Sequence, residues 1–531
     1  MLCTINLDIH LAKNEWTINP IVLLLLMLVT ISPSGYACDE LSFGEDFVHF
    51  QALNSLAEHA SIIVPFKNGD LDLAQKLRLT INGKNAKFDA HASLIWPTTN
   101  NRKHYLRSLL IRPFGGIRKG DVYKLTWHSE LGKQITPYDD HVTQTIDAKF
   151  PIDWLSNVLY APLLPPVNGD FYWFDKAYLN YSDFITDEKA INENKKIQGK
   201  LTDPAPWLYD RVYVLYQLYF KTGDITVKHK AHEAAMFYQQ NLTKHGYFGL
   251  KETEDHKYLL NSGLLIDYMF YPRLSIKKAI HNLYSNTLIW PSKYIQKLKF
   301  WTERNLAVAL AAAITQWELQ QNRSALFRIH DLIDGSTAAL FSPSNKDDGC
   351  IAHRYGAHEG GRVDDLVCSP WMSALVSYQL WRFYQLTGDE KSKRIIKSLG
   401  KSVINYGTYI TTDEQSKGKT VPKYLAFLTS TKLEQSEQGS DIQHACDVAG
   451  MISLSAYLAK LDGEDITQQV HLVDKLLLSC QHSLGVNDKN RNQWQLAPLR
   501  KFNWWFGTTG HMPWLLTELA VELESAKVVA K

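Results

Sequence analysis

The sequence predicts an N-terminal β-barrel or β-sandwich domain followed by an (α/α)6-type toroid of helical hairpins. Three observations lead to this prediction. The 531 residues are more than one ordinary core holds, so two domains are expected. Residues 44–150 contain short β-prone runs between turn residues. Beyond residue 200, apolar residues recur with the period of an α-helix, in pairs of runs joined by short turns.

Five β-prone runs make up the predicted all-β domain, residues 44–150. They read SIIVPF, KLRLTING, KFDAHASLIW, YLRSLLIRPF and VYKLTWHS, and turns such as KNGD and GGIRKGD separate them. Regularly spaced short strands of this kind are typical of a barrel or sandwich. We expect residues 151–200 to form a linker or extended connection, and residues 201–527 to form the toroid.

Each helical repeat pairs a largely apolar helix with an amphipathic one. In two repeats the first helix ends at a TGD turn, residues 222–224 and 387–389. The Gly of such a turn suits a helix C-terminus, and the Asp caps the next helix. A helix that is apolar nearly all round must be buried, so a ring of hairpins would place these helices inside. An open solenoid is the structural alternative.

The N-terminus contains an apolar run, IVLLLLMLVTI, that is short for a membrane span and is followed by small residues and helix breakers. We interpret residues 1–37 as a signal peptide and expect a secreted or periplasmic protein. A retained membrane anchor and lipidation of Cys38 are the alternatives. The net charge of +2 gives no general reason to expect nucleic acid as a partner. No membrane contact is expected beyond the signal or anchor.

The cysteines that follow this segment are Cys38, Cys350, Cys368, Cys446 and Cys480. An odd and sparse set of this kind does not form a disulfide framework. Cys350 and Cys368 flank the loop IAHRYGAHEGGRVDDLVCSPW, so a bridge between them and two separate buried thiols are both open.

That loop, residues 351–371, is rich in His, Arg, Tyr and acidic residues although an apolar helix follows it. In a toroid, the loops that lead into the inner helices share one face, and we expect them to form a polar cup. The predicted catalytic residues are Tyr355, His353, Arg354, His444, Glu359 and Asp365. The predicted substrate-binding residues are Trp207, Tyr209, Arg211, Arg304, His358, Trp371, Trp504, Trp505 and His511. Helix capping or core packing is the alternative explanation for each of them.

A cup lined with Trp, Tyr, Arg and His suits an acidic polysaccharide or oligosaccharide. Aromatic faces stack on the CH surfaces of sugars, and Arg binds a carboxylate with two hydrogen bonds. No metal site and no cofactor are predicted. A requirement for a divalent cation, for example at His353, His358 and His444, is left open because their spacing is generic.

The run IIVPFKNGDLDLAQKLRLTINGKNAKFDAHASLIW, followed by YLRSLLIRPF, resembles the opening of the exo-rhamnogalacturonan lyase-like proteins. In that family V-P-F-x-x-G-x-L precedes L-R-L, a turn and a strand that ends in Trp. The D-G-S that follows this Trp in the family is replaced here by PTTNNRKH. The resemblance implies a RIFT-type β domain joined to an (α/α)6 toroid, in a secreted polysaccharide-active protein.

Three functions fit this cup. A lyase that cleaves a uronate polymer by β-elimination needs a group that neutralises the carboxylate, a base and an acid. Tyr355 with His353 or His444 would move the protons while Arg354 or Arg211 holds the carboxylate, so Tyr355→Phe would abolish activity. A glycoside hydrolase would instead use two carboxyl groups, drawn from Glu359, Asp364, Asp365, Asp441 and Asp210. A non-catalytic glycan-binding surface protein would bind the glycan without forming product.

Overall fold

The computed structural model describes residues 41–56, 59–99, 103–128, 131–138, 144–165, 173–179, 196–197, 200–201, 207–251, 254–293, 302–341, 349–358, 365–412, 414, 416–428, 441–484 and 500–529. The predicted signal peptide, residues 1–37, and the predicted catalytic residue Glu359 lie outside the described residues. No helix within these ranges combines the length and the apolarity needed to traverse a bilayer.

The first sheet forms where apolar and polar residues alternate. In β2 (Phe47–Ala52) and β8 (Val122–Thr126) every second side chain is buried, so one face of each strand packs on the core. The sheet has the order β1–β2–β8–β4–β5, with β9 beside β4 and β12 beside β2. The other strands of this sheet are β1 (Phe43–Gly44), β4 (Lys76–Ile81), β5 (Lys84–Asn85), β9 (Lys133–Gln134) and β12 (Ala148–Lys149).

The second sheet is buried more deeply and has the order β10–β6–β7–β3–β11. Its strands are β3 (Ser61–Pro65), β6 (Phe88–Ile95), β7 (Leu106–Pro113), β10 (Thr136–Pro137) and β11 (Thr145–Ile146). Nearly every residue of β3 and β7 is buried, and such strands must be covered on both faces. The helix Ser262–Phe270 contacts both of them and helps to cover this sheet.

The longer helices come in pairs, as the sequence predicts. The pairs are α2 (Arg211–Thr222) with α3 (Ile225–Gln240), α4 (Ser262–Phe270) with α5 (Leu274–Thr287), α6 (Glu303–Gln320) with α7 (Arg323–Leu340), α9 (Pro370–Thr387) with α10 (Glu390–Tyr406), and α11 (Ala445–Leu461) with α12 (Thr467–Ser483). Two short helices are α1 (Ile152–Leu155) and α8 (Tyr355–His358). The described part of the chain ends with α13 (Arg500–Thr509), α14 (Met512–Glu518) and α15 (Ala520–Val529). Strands β13 (Lys196–Ile197) and β14 (Lys200–Leu201) lie in the predicted linker.

The two TGD turns have the predicted capping chemistry. Gly223 and Gly388 end α2 and α9 with φ values of 69° and 70°, a conformation that glycine adopts without steric cost. Asp224 accepts a hydrogen bond from the backbone N–H of Thr226, and Asp389 accepts one from Ser392. These aspartates cap α3 and α10, so the turns are fixed by local sequence.

The first helix of each pair is the more buried one. Almost all of α11 is buried, whereas α10 buries one face only. Helix α2 contacts α4, α4 contacts α6, α6 contacts α9, α9 contacts α11, α11 contacts α13, and α13 contacts α2. The described part of the chain is therefore a mixed β and helical structure whose hairpins are consistent with a toroid.

A buried ion network joins the second sheet to two of these helices. Glu318 of α6 binds Arg107 of β7 and also accepts a hydrogen bond from Arg382 Nε of α9 at 2.6 Å. All three side chains are less than 5% exposed. Because an unpaired buried charge is costly, this network fixes where the sheet meets the helices.

Two disulfides occur among the described cysteines. Cys350 pairs with Cys368, which settles the alternative that the sequence leaves open, and Cys446 of α11 pairs with Cys480 of α12. The first bond lies beside a small sheet of β15 (His353–Arg354), β16 (Leu366–Cys368) and β19 (Ala426–Phe427). Strands β17 (Thr408–Ile410) and β18 (Thr420–Pro422) pair nearby in the chain.

Replacing both Cys446 and Cys480 by Ala is expected to lower the free energy of unfolding by about 2–4 kcal/mol, because the unfolded chain loses a constraint. Thermal unfolding with and without a reductant measures the effect. Reductant should lower the melting temperature of a variant that retains Cys446 and Cys480 but lacks the other pair. A double variant as stable as the parent protein would contradict this bond.

Candidate active site

A cavity of about 120 Å³ lies among the buried helices. Its polar lining comes from five of them and from the segments that precede them. These lining residues are Tyr209, Asp210, Tyr213, Lys257, Asn261, Ser262, Arg304, Tyr378, Gln379, Arg382, Asn503, Trp504 and Thr508. Segments far apart in the sequence therefore meet at one cavity.

Asp210 stands at the start of α2 in an unusual backbone conformation. Tyr209 and Asp210 both have positive φ, 66° and 59°, and strain of this kind in non-glycine residues is frequent at functional sites. The Asp210 carboxylate accepts hydrogen bonds from the backbone N–H of Tyr213 at 3.2 Å and of Gly263 at 3.0 Å. A Cβ at position 263 would lie 2.5 Å from Asp210 Oδ1, so this approach requires glycine.

Burial raises the pKa of Asp210, although the surrounding backbone N–H groups and Arg382 oppose the rise. A carboxyl group with a raised pKa can exchange a proton closer to neutral pH than an ordinary aspartate. Asp210 is therefore suited to take or give a proton in the cavity.

Three tyrosine hydroxyls form a chain at the cavity wall. Tyr213 OH lies 3.1 Å from Tyr378 OH and 3.3 Å from Tyr160 OH. Gln217 Nε2 also donates to Tyr378 OH at 3.2 Å. Burial raises the pKa of Tyr160 and Tyr378 well above the usual value, so both stay protonated. Tyr213 and Tyr378 line the cavity and bring proton donors to it.

Arg304 brings a positive charge to the cavity from the first turn of α6. The preceding residue, Glu303, is buried and fixes this turn, because its carboxylate accepts a hydrogen bond from the Ser369 N–H at 2.9 Å and lies 2.6 Å from His353 Nδ1. The Arg304 guanidinium lies 6.0 Å from the centre of the Trp371 ring. Among the described residues, no carboxylate forms an ion pair with Arg304.

An aromatic cluster forms another part of the cavity wall. The Trp504 ring stacks on Tyr209 with centres 5.7 Å apart, and it also contacts His444 at 3.9 Å and Trp371 at 5.4 Å. Trp504 Nε1 donates to Asp447 Oδ2 at 3.1 Å, which fixes the indole. Since Trp504 and Tyr209 line the cavity, they offer it aromatic surface.

The structure brings together several residues that the sequence predicts for the site. Tyr209, Arg304 and Trp504 line the cavity, and Trp371 and His444 pack directly behind Trp504. His353 is buried beside Glu303 and does not line the cavity.

Besides Trp371 and His358, four predicted substrate-binding residues lie outside the cavity lining. Trp207 and Trp505 are buried and donate hydrogen bonds to the backbone carbonyls of Ala234 and Gln443. Arg211 is buried 5.9 Å from the Trp207 ring, and burial lowers its pKa to about 10.

His511, the fourth, packs on the rings of Tyr160 and Tyr378, and burial lowers its pKa to about 4. With Tyr378 it lines a separate small cavity and not the one described above. The two Trp, Arg211 and His511 pack in the interior because their large side chains have enough apolar surface to be buried.

The loop 351–371 does not line this cavity in its described part. The Tyr355 ring packs on Phe427, and the Tyr355 N–H donates to the Asp365 carbonyl oxygen. Arg354 lies in β15, and His358 ends α8. The role of these loop residues stays a prediction.

The lining also includes residues that the sequence analysis does not single out. Tyr213, Tyr378, Gln379 and Arg382 all lie within apolar inner helices. The sequence does contain one signal for these residues, which is that each is polar within a helix that is otherwise apolar. A buried polar atom must have a hydrogen-bond partner, so such a residue indicates polar surroundings. No group of three or more His, Cys, Asp and Glu side chains in the described ranges could hold a metal ion.

No family model and no curated protein sequence matches the chain. Among solved structures, the chain is similar to an unsaturated glucuronyl hydrolase specific for heparin, with 12% identity, a TM-score of 0.40 and coverage of 66% of this chain and 99% of that one. It is also similar to a family 76 glycoside hydrolase from a bovine Bacteroides thetaiotaomicron strain, with 11% identity, a TM-score of 0.39 and coverage of 88% and 99%.

A polysaccharide lyase shares 12% identity with the chain at a TM-score of 0.34, over 57% of this chain and 83% of that one. Overlaps at these TM-scores define neither the fold nor the activity of this chain. The resemblance to the exo-rhamnogalacturonan lyase-like proteins stays a hypothesis.

Proposed function

We propose that this chain is a polysaccharide-degrading enzyme, and specifically a lyase that cleaves an acidic, uronate-containing polysaccharide by β-elimination. One observation carries the proposal. The Arg304 guanidinium, which pairs with no described carboxylate, lies in the same cavity as the Asp210 carboxyl and the Tyr213 hydroxyl. These are the three kinds of group that β-elimination next to a uronate carboxylate requires.

The proposed architecture is an (α/α)6 toroid with the cavity at one end of its inner helices. The contacts between successive inner helices support it, as does the contact between α13 and α2. Asn503 Nδ2 of α13 also donates to the Leu208 carbonyl oxygen at 3.0 Å, just before α2. We propose that this contact closes the ring.

Each step of the proposed reaction has a group in the cavity. Arg304 neutralises the uronate carboxylate, which makes the C5 proton more acidic. Asp210 accepts that proton, and the electron pair forms the C4–C5 double bond as the C4–O bond breaks. Tyr213 donates a proton to the leaving oxygen, and transfer from Asp210 restores Tyr213. The products are a new chain end and an unsaturated uronate.

A glycoside hydrolase is the second candidate, and the raised pKa of Asp210 favours it specifically. A protonated carboxyl group in a buried site is the usual general acid of glycoside hydrolysis. Hydrolysis would also need a second carboxyl group, and Asp210 is the sole carboxyl among the described residues that line this cavity. We therefore favour the lyase.

Incubation with polygalacturonate, alginate, hyaluronan and chondroitin sulfate tests the proposal. A lyase forms products that absorb in the ultraviolet through the new double bond, together with new reducing ends. Reducing ends without this absorbance would identify a hydrolase. Binding without any product would identify a glycan-binding protein and refute both enzyme assignments.

Replacing Tyr213 by Phe is expected to lower kcat by about 10²-fold or more, because the leaving oxygen loses its proton donor. Tyr355→Phe removes the hydroxyl group of Tyr355, the catalytic tyrosine that the sequence analysis predicts. This variant should turn over at a rate near that of the parent protein. Steady-state kinetics on the best polymer measures both variants. The opposite ranking would return the catalytic role to Tyr355.

We also propose a secreted or periplasmic location. The two disulfides support it, because such bonds persist mainly in oxidising compartments.

A further inference from the structure

A groove of about 800 Å³ lies where strands of the two N-terminal sheets meet. Its lining comes from β4, β5 and β9 of the first sheet, and from β6 and the residue that follows β7 in the second. No residue of this groove lines the cavity of the candidate active site. The proposed reaction therefore leaves the groove without a role.

The charged residues that line the groove are Arg78, Lys87 and Lys133, and no described carboxyl group lines it. Lys133 Nζ forms an ion pair with Asp89 at 2.8 Å, so this lysine adds little net charge. Arg78 and Lys87 form no ion pair with any carboxylate in the described ranges. The groove therefore presents two unpaired cations to solvent.

The guanidinium of Arg78 is held in position by the neighbouring strand. Arg78 Nε donates a hydrogen bond to Asn85 Oδ1 at 2.9 Å, between the paired strands β4 and β5. The two terminal nitrogens of the guanidinium are left to bind an acceptor, and together they match the two oxygens of a carboxylate.

Large apolar side chains stand exposed beside these cations. Phe114 is 57% exposed and Leu131 is 87% exposed, and both line the groove. The backbone N–H of Phe114 donates to the Lys87 carbonyl oxygen at 2.9 Å, so the aromatic residue and the lysine are direct neighbours. An exposed aromatic face can stack on the CH surface of a sugar while the cation binds a carboxylate.

We propose that this groove, which we call the basic groove, binds a stretch of an acidic polysaccharide away from the reacting sugar. The choice of polymer rests on the proposed function, to which the basic groove adds a second, non-catalytic binding site. A nucleic acid fits less well, because its closely spaced phosphates are usually bound by more cations than the two unpaired ones here.

Binding of immobilised polygalacturonate, alginate, hyaluronan and chondroitin sulfate, measured by biolayer interferometry, tests the basic groove. Dextran is the uncharged control polymer. All proteins in this assay carry Tyr213→Phe, so that the polymer is not consumed. The protein is expected to bind at least one of the acidic polymers and not dextran, and to bind more weakly as salt rises above about 0.15 M.

Arg78→Gln combined with Lys87→Gln is expected to weaken this binding by about 10-fold or more, because two charged hydrogen-bond donors are lost. Phe114→Ala should weaken it by about 3-fold and leave its salt dependence unchanged. Arg323→Gln combined with Lys475→Gln removes the same two charges at exposed positions of α7 and α12, outside the groove, and should have no effect.

Kinetics with Tyr213 restored give a second readout. The Arg78 and Lys87 changes should raise KM for the long polymer about 10-fold and leave kcat unchanged, because the groove does not touch the reacting sugar. Turnover of a tetrasaccharide of the same polymer should stay at the parent rate if the fragment is bound in the candidate active site alone.

The outcomes separate the basic groove from the proposed activity. Binding that the Arg78 and Lys87 changes weaken, in a protein that forms no product from any polymer, would reject the activity and retain the groove. Unchanged binding in that variant, or an equal loss in the Arg323 and Lys475 control, would reject the groove even in an active enzyme. A groove variant that loses binding of double-stranded DNA and keeps binding of all four polymers would identify nucleic acid as the occupant instead.

Discussion

Replacing Asp210 by Asn is expected to lower kcat/KM by about 10²–10⁴-fold, the range that a general acid or base contributes. Asn keeps the size of the side chain and one acceptor oxygen, but it cannot take the C5 proton. The loss should appear mainly in kcat, because the carboxylate of the substrate is bound by Arg304 rather than by Asp210.

The dependence of kcat/KM on pH gives an independent test of Asp210 as the base. Because burial raises the pKa of Asp210, its carboxyl group stays protonated to a higher pH than an ordinary aspartate. A base must be deprotonated, so kcat/KM should rise with pH through this raised pKa and level off above it. A hydrolase in which Asp210 is the acid would show the opposite limb, with activity falling as pH rises through the same pKa.

Asp224→Asn is the matched control for Asp210→Asn. Asp224 is also an aspartate that caps a helix, but it lies at an exposed turn and does not line the cavity of the candidate active site. It should retain full activity and a near-parent melting temperature. An Asp210→Asn protein that is folded by circular dichroism and turns over at the rate of the Asp224 control would remove Asp210 from the reaction.

Replacing Glu318 by Ala is expected to lower the free energy of unfolding by about 3–5 kcal/mol, because two buried guanidinium groups lose their shared counter-ion. Arg382 would keep its hydrogen bonds to Ser262 Oγ at 2.9 Å and to Thr315 Oγ1 at 3.2 Å, but neither of these partners carries charge. Since Arg382 also lines the cavity of the candidate active site, substrate binding should weaken too.

Urea unfolding monitored by circular dichroism measures this loss, with Glu390→Ala at an exposed helix position as the control. Burial alone would raise the pKa of Glu318, but Arg382 and Arg107 outweigh burial and hold it below the usual value. The stabilisation is therefore fully present above the pKa of an unfolded glutamate and is lost as pH falls through the lower folded value. A loss under about 1 kcal/mol at neutral pH would contradict a buried, paired Glu318.

The sequence was sufficient to predict the features that depend on neighbouring residues in the chain. The alternation in β2 and β8 and the TGD turns are examples, because a strand pattern and a capping Asp act over a few residues. It also pointed to Tyr209, Arg304 and Trp504 as site residues, since polar and aromatic side chains just before or at the start of a buried helix need a reason to be there.

Which side chains face the cavity depends on how the chain packs in three dimensions. Tyr213 and Tyr378 reach it from within apolar helices, whereas Trp207 and Trp505 turn into the core although their sequence context looks equally favourable. On a helix that is buried on every side, periodicity does not distinguish the face that meets a cavity from the face that meets another helix. That distinction depends on how the helices are arranged around each other, because neighbours distant in sequence supply the partner atoms.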